Sequence, residues 1–241
     1  MSFLNMVPIV VYSHSDYSDL WVPFFNRLEK YFKNCKIYFF TNENEIVLNN
    51  NLNIEKVFYN DDVLYSDRLN SCLSQIDEEF ILFLHEDMIL YDYVNIDNVI
   101  DCLEFLRNNT QYNFVRLIKS GIKTNTKIFD FLYKIETEDF QFSITPTIWR
   151  TETLLNVCKK FNNSTIWDLE LNGDTYFRET KIQGLYTFKN ENIRGGHHDS
   201  KVFPHMCSAI FKGRWNLEYK KELDDLFEEY NINKDDRGTI F

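Results

Sequence analysis

Apolar and polar positions alternate between two patterns along the first ninety residues. Val7 to Ser13 is an apolar, β-branched run of strand length. Asp19 to Phe32 has helical spacing, with Leu20, Phe24, Leu28 and Tyr31 on one face and Asp19 near its start. Lys36 to Thr41 and Ile54 to Tyr59 read as the next two strands, and Ser66-Asp67-Arg68-Leu69 opens a helix that runs to Ile76. Phe80 to Leu84 is wholly apolar, the mark of a strand buried on both faces. The order β-α-β-β-α-β predicts an α/β fold, a mixed, mostly parallel sheet with helices on both faces.

The second half is patterned differently. Asp97 to Arg107 reads as a helix with Asp97 as N-cap, and Phe114 to Ile118 as a strand. Phe129 to Tyr133 and Phe140 to Thr145 alternate like antiparallel strands. Thr151 to Phe161, Trp167 to Arg178 and Leu217 to Tyr230 are expected helices. With no internal repeat and no linker-like stretch, residues 1–241 are expected to form one domain. The change of pattern divides it into a first half of about 1–95 and a second of about 96–241.

Composition narrows the function. A net charge of −11 argues against a nucleic-acid partner, which requires a basic face. No apolar run reaches 18 residues, so no transmembrane segment is expected. Met1 to Tyr12 shows neither a basic start nor a small-residue cleavage site, so no signal peptide is expected. Five scattered cysteines without a C-x-x-C pattern fit buried thiols in a reducing compartment such as the cytoplasm.

The candidate chemistry starts at Glu86-Asp87, which follow the apolar strand directly. Ligands in open α/β sheets bind beyond the carboxyl ends of the strands, and paired acids there can hold a hard divalent cation that holds phosphate in turn. A solvated turn is the plainer reading. Histidines and tryptophans gather in few segments: Ser13 to Trp21, His85 to Asp87, Trp149 to Glu170, and Arg194 to Trp215. The loop after the first strand carries Ser13, His14, Asp16 and Tyr17, although neither a dinucleotide glycine fingerprint nor a P-loop is present. Asp19 reads equally as a helix cap. Arg68 could meet phosphate, orient Asp67, or form a surface ion pair.

These motifs together resemble the GT-A-type glycosyltransferases, most closely small bacterial and large-virus members. The shared features are the Tyr-Ser-rich first loop, the Ser-Asp-Arg-Leu helix start, the strand ending in paired acids, and Trp167-Asp168-Leu169-Glu170. The resemblance implies a GT-A-like, Rossmann-like fold and a UDP- or GDP-sugar donor whose base and ribose meet the first loop. It also implies Mn²⁺ or Mg²⁺ on Asp87, Glu86 as ribose or metal-shell partner, and His197 or His198 completing the shell. His85 stands where many members carry the first acid. The resemblance gives Glu170 the general-base role of inverting enzymes, with Asp168 as its rival. Trp149 and Trp167 would face a glycan or glycolipid acceptor, since sugars stack on aromatic faces. Arg194 and Lys212 would neutralise or cover the departing diphosphate. Other readings are a metal-dependent nucleotidyltransferase and a non-catalytic carbohydrate- or nucleotide-binding module. A zinc site from His197, His198, His205 and Cys207 fits no common spacing.

Overall fold

The computed structural model describes residues 7–32, 35–43 and 51–241. The first six positions, on which the absence of a signal peptide was partly read, lie outside them. The elements in chain order are β1 (Ile9–Tyr12), α1 (Trp21–Tyr31), β2 (Lys36–Thr41), β3 (Asn53–Phe58), α2 (Tyr65–Leu73), β4 (Phe80–His85), α3 (Ile96–Asn108) and β5 (Tyr112–Arg116). Then come β6 (Thr126–Phe129), β7 (Leu132–Lys134), β8 (Thr147–Arg150), α4 (Thr151–Lys160), α5 (Ile166–Thr180) and β9 (Gln183–Thr187). Short strands follow, β10 (Ile193–Arg194), β11 (His197–His198), β12 (Ile210–Phe211) and β13 (Arg214–Asn216), then α6 (Lys220–Tyr230) and β14 (Thr239–Ile240).

Nine strands form the central sheet in the order β3-β2-β1-β4-β8-β5-β9-β7-β6. β1, β2, β3 and β4 are mutually parallel, whereas β8 runs against both β4 and β5. β9 is parallel to β5, and β7 is antiparallel to both β9 and β6. Only β8 and β7 therefore oppose the other seven, and the sheet is mixed and mostly parallel as expected. One face packs Trp21, Phe24, Phe25 and Leu28 of α1, Leu103 and Leu106 of α3, and Leu223 and Leu226 of α6. The other packs Leu69 and Leu73 of α2, Leu154 and Val157 of α4, and Leu169 and Phe177 of α5. Each such side chain contributes about 1.5–3 kcal/mol on burial.

Burial on both faces explains why β1 and β4 read as unbroken apolar runs. The aromatic centre of the second layer is Phe114 against Trp149 at 4.5 Å, with Phe142 and Phe177 around them. Gly184 of β9 makes room for it, because a Cβ there would stand 2.0 Å from the Phe114 ring.

Three expectations are corrected, and one strand is added. The N-cap of α3 is Asn95, whose Oδ1 accepts the Asn98 N–H at 3.1 Å, and Asp97 is inside the helix. Phe129 to Tyr133 is a hairpin bend between β6 and β7, turning at Asp130 with φ of +37°. Phe140 to Thr145 joins no strand ladder: Phe140 N–H bonds the Gly121 carbonyl, and those of Gln141 and Ile144 bond the Asp174 and Glu170 carboxylates. The added strand is β8, which pairs with β4 and carries Trp149 into the sheet.

Candidate functional site

β4 delivers its terminal residues to opposite sides. His85 turns into an aromatic group, its Nε2 2.8 Å from the Tyr65 hydroxyl and its ring 5.3 Å from Tyr12. Burial lowers its pKa to about 4, so the ring is neutral. Glu86 is only 6% exposed, and its Oε2 is buried without a hydrogen-bond partner. Burial raises its pKa well above the carboxylate range, the Asp87 charge raises it further, and Ser13 and Arg237 oppose the shift. Asp87 is likewise raised by burial, with the Ser208 side chain favouring its charged form. Two adjacent acids held against their charge, one with an orphaned oxygen, form a place that a cation would relieve.

The residue types fit Mg²⁺ or Mn²⁺, which accept one or two carboxylates and draw remaining ligands from phosphate and water. Among the described residues no group of three or more His, Cys, Asp or Glu side chains could hold a metal ion by itself. That tells against the four-ligand zinc alternative.

The loop after β1 is tied to the ends of β2 and β3. His14 Nδ1 accepts the Asp16 N–H at 3.1 Å, so the neutral ring carries its proton on Nε2, 2.9 Å from Asp61. Ser15 N–H donates to Asn42 Oδ1 at 2.9 Å, and the Asn42 amide donates to Ser15 Oγ and Asp61. Arg68 donates through Nη2 to the Asp61 carbonyl at 2.6 Å and pairs with the Asp61 carboxylate at 2.9 Å. Tyr59 stacks on Tyr12 at 5.3 Å and donates to the Ser13 carbonyl at 2.7 Å. The Ser13 hydroxyl accepts the Trp21 indole N–H at 2.6 Å. Asp67 does not meet Arg68: its carboxylate accepts the Asn163 N–H at 2.7 Å and pins the turn before α5. Asn42 follows β2, and Tyr59 and Asp61 follow β3; they carry no signal in the sequence because only the parallel sheet gathers these two segments beside the first loop.

Arg237 was also missed. It reaches back to this loop, donating through Nε to Asp19 Oδ2 at 2.6 Å and through Nη2 to Asp19 and to the Asp16 carbonyl. Its guanidinium lies 4.9 Å from the Tyr17 ring centre. Among the described residues Nη1 makes no hydrogen bond, and Glu86 and Arg237 each favour the other's charge.

Glu170 stands one turn into α5. Thr165 caps that helix, its Oγ1 accepting the Asp168 N–H at 3.2 Å and donating to the Asp168 carboxylate at 2.7 Å. Asp168 is thereby engaged in the cap. Glu170 Oε1 accepts the Ile144 N–H at 2.6 Å. Burial raises the Glu170 pKa; the Ile144 N–H, Ser143 and Arg116 oppose the rise. Two groups, buried Cys207 and partly buried Tyr65, feel the charges of both Glu170 and the acid pair. Burial pushes the Cys207 thiol up to about 12, and Asp87 and Glu170 add to the shift. Tyr65 is raised by burial too, with Glu170 and Glu86 both contributing. Trp167 and Leu171 flank Glu170 on the helix, 68% and 64% exposed.

The remaining candidates are dispersed. Trp149 is fully buried in the aromatic centre and has no face for an acceptor, which corrects that expectation. Arg194 is held by Asp199 at 2.8 Å and by Glu222 at 2.9 Å. The His197 Nδ1 is 2.6 Å from the Ser120 hydroxyl, and the His198 Nδ1 is 3.3 Å from the Lys119 carbonyl. Lys212 lies in the exposed turn between β12 and β13, 5.3 Å from the Phe211 ring centre.

Among the described residues no helix is long and apolar enough to cross a membrane. No protein-family model and no curated protein matches the chain. Solved structures similar to it include CMP:2-keto-3-deoxy-manno-octonic acid synthetase complexed with CTP, at 12% identity over 79% of this chain and 92% of that one, TM-score 0.49. Another is S. aureus TarS 1-349, at 14% identity over 76% and 60%, TM-score 0.49. A third is a cytidylyltransferase from Leptospira borgpetersenii serovar Hardjo-bovis, at 14% identity over 98% of both chains, TM-score 0.49. Likeness at this level carries no argument about chemistry.

Proposed function

We propose that the chain is a metal-dependent, inverting glycosyltransferase that moves a sugar from a nucleotide-sugar donor to an acceptor hydroxyl. The observation that carries this reading is the acid pair that follows β4, where Glu86 is buried with its Oε2 unpartnered and Asp87 stands next to it. An acid pair of which Glu86 is buried and Asp87 partly exposed suits the diphosphate side of a donor. A separate, partly buried carboxylate with a raised pKa suits proton removal, because a base works best with its pKa near the working pH.

The donor's base and ribose, UDP or GDP, would meet the group formed by His14, Asn42, Asp61 and Arg68. Asp87, with Glu86 beside it, would hold Mn²⁺ or Mg²⁺, which supplies positive charge to the diphosphate oxygens. Arg237 adds a cation on the same side, where negative charge develops as the diphosphate departs. Trp167 offers its exposed ring to the sugar or lipid of the acceptor. Glu170 takes the proton from the acceptor hydroxyl. That oxygen bonds the anomeric carbon as the carbon's bond to the diphosphate oxygen breaks, and the electron pair leaves with the nucleoside diphosphate. A reducing compartment such as the cytoplasm suits the five free, buried cysteines.

The test is a panel of nucleotide sugars, with and without Mn²⁺, read by thermal shift and by release of nucleoside diphosphate. One donor should raise the melting temperature only with metal and should yield nucleoside diphosphate when an acceptor is supplied. Pyrophosphate released from a nucleoside triphosphate and a sugar phosphate would instead identify a nucleotidyltransferase. Binding with no turnover across the panel would identify a binding module.

A further inference from the structure

The acid pair starts a ribbon that leads to a second cleft. From Asp87 to Asn95 the chain runs antiparallel to Val202–Ala209. Ala209 N–H donates to the Asp87 carbonyl at 2.8 Å, Met206 to Ile89 at 3.0 Å, Tyr91 to Pro204 at 3.2 Å and Asn95 to Val202 at 3.0 Å. At about 3.3 Å per extended residue, Tyr91 lies roughly 13 Å along the ribbon from Asp87. There a cleft of about 380 Å³ opens, walled by Tyr91, Asp92 and Tyr93 on one side and Asn190, Asn192 and Lys201 on the other. These segments follow β4 and β9, so the cleft lies at the carboxyl end of the sheet, where α/β folds bind ligands. Its volume is that of a small-ligand site.

The groups facing it select a ligand class. Glu191 is occupied by the backbone N–H groups of Lys189 and Lys201, and Asp199 by Arg194. The amides of Asn190 and Asn192 and the hydroxyls of Tyr91 and Tyr93 make no hydrogen bond among the described residues. Tyr93 is 67% exposed, yet its ring is braced edge-on against Tyr31 at 5.2 Å. An aromatic face with uncharged amides and hydroxyls among its neighbours suits a sugar, which presents hydroxyls at its rim and C–H groups on its face. A phosphate would meet three carboxylates, Asp92, Glu191 and Asp199, against one cation, Lys201.

We propose that this cleft is a saccharide subsite that holds a part of an oligosaccharide acceptor remote from the hydroxyl that reacts. Its role as an acceptor subsite rests on the glycosyltransferase reading; saccharide binding there does not. The test applies the full-length chain, without nucleotide, to an array of short neutral oligosaccharides, followed by titration of whichever binds. Tyr93→Ala with Asn192→Ala should weaken that binding by about tenfold or more. In turnover, the double variant should raise KM for long acceptors and leave kcat and the KM of the shortest acceptor unchanged. A wild-type chain that binds no array member at millimolar ligand, or a double variant that binds equally well, would overturn the proposal. Array binding lost in the double variant, in a chain with no transfer activity, would uphold the cleft and remove the transferase reading instead.

Discussion

Arg237 grips Asp19 through two nitrogens, Nε at 2.6 Å and Nη2, and so joins residues 218 positions apart across the mouth of the first loop. The pair fixes a cation whose charge favours the ionised form of Glu86, in a chain of net charge −11. Replacing Arg237 by Met should weaken metal-dependent nucleoside diphosphate binding by about 10- to 100-fold, the worth of one or two charge-assisted hydrogen bonds. Calorimetry on the variant would measure this, and unchanged affinity would remove Arg237 from the donor site.

The acid pair makes a prediction about stability. Burial raises the folded-state pKa of Glu86 above its ordinary value. Such a group contributes stability below about pH 4.3, and loses it as pH rises through the raised value. Glu86→Gln removes that loss. The variant should match the wild type near pH 4 and be more stable at pH 8, by on the order of 1–3 kcal/mol. Thermal unfolding at both pH values reads the difference; a variant less stable at pH 8 would contradict it.

Asp87→Asn keeps the shape of the side chain and removes its charge. It should abolish Mn²⁺-dependent binding of nucleoside diphosphate while leaving the circular dichroism spectrum unchanged. In the wild type, proton and cation compete for a pair whose pKa values are raised, so Mn²⁺ affinity should climb with pH and level off once the pair has ionised. Manganese titration followed by electron paramagnetic resonance tests both statements, and a flat pH dependence would argue that the pair does not hold the ion.

Glu170→Gln cannot accept the acceptor's proton. Transfer should slow by roughly 10²–10⁴-fold, with donor affinity little changed. The acidic limb of the pH–rate profile should vanish with it, because that limb reports the protonation of Glu170. Near-normal turnover in this variant would turn attention to Asp168, despite its place in the Thr165 cap.

The parallel half of the fold was legible because burial on both faces leaves a distinct trace in β1, β2 and β4. Glu86 and Asp87 were legible because charge ends such a run abruptly. The second half was harder, for physical reasons. Phe140 to Thr145 is as apolar as a strand, yet its amides are satisfied by carboxylates of α5 instead of a neighbouring strand. Trp149 carries the same residue type as Trp167, and only the packing of Phe114, Phe142 and Phe177 around it separates core from surface. Arg237 has no local signal at all, since its partner Asp19 is supplied from the opposite end of the chain.

The reversed strand β8 also bears on how the chain is made. It is inserted between β4 and β5, both of which are synthesised before it. On the ribosome, β4 therefore emerges with Phe80-Ile81-Leu82-Phe83-Leu84 presenting a bare ladder edge until residues 147–150 follow. An unpaired apolar edge is a template for association with other nascent chains. Fragments that stop short of residue 147 should therefore be sticky and chaperone-dependent, whereas fragments that include β8 close the sheet over its most adhesive strand.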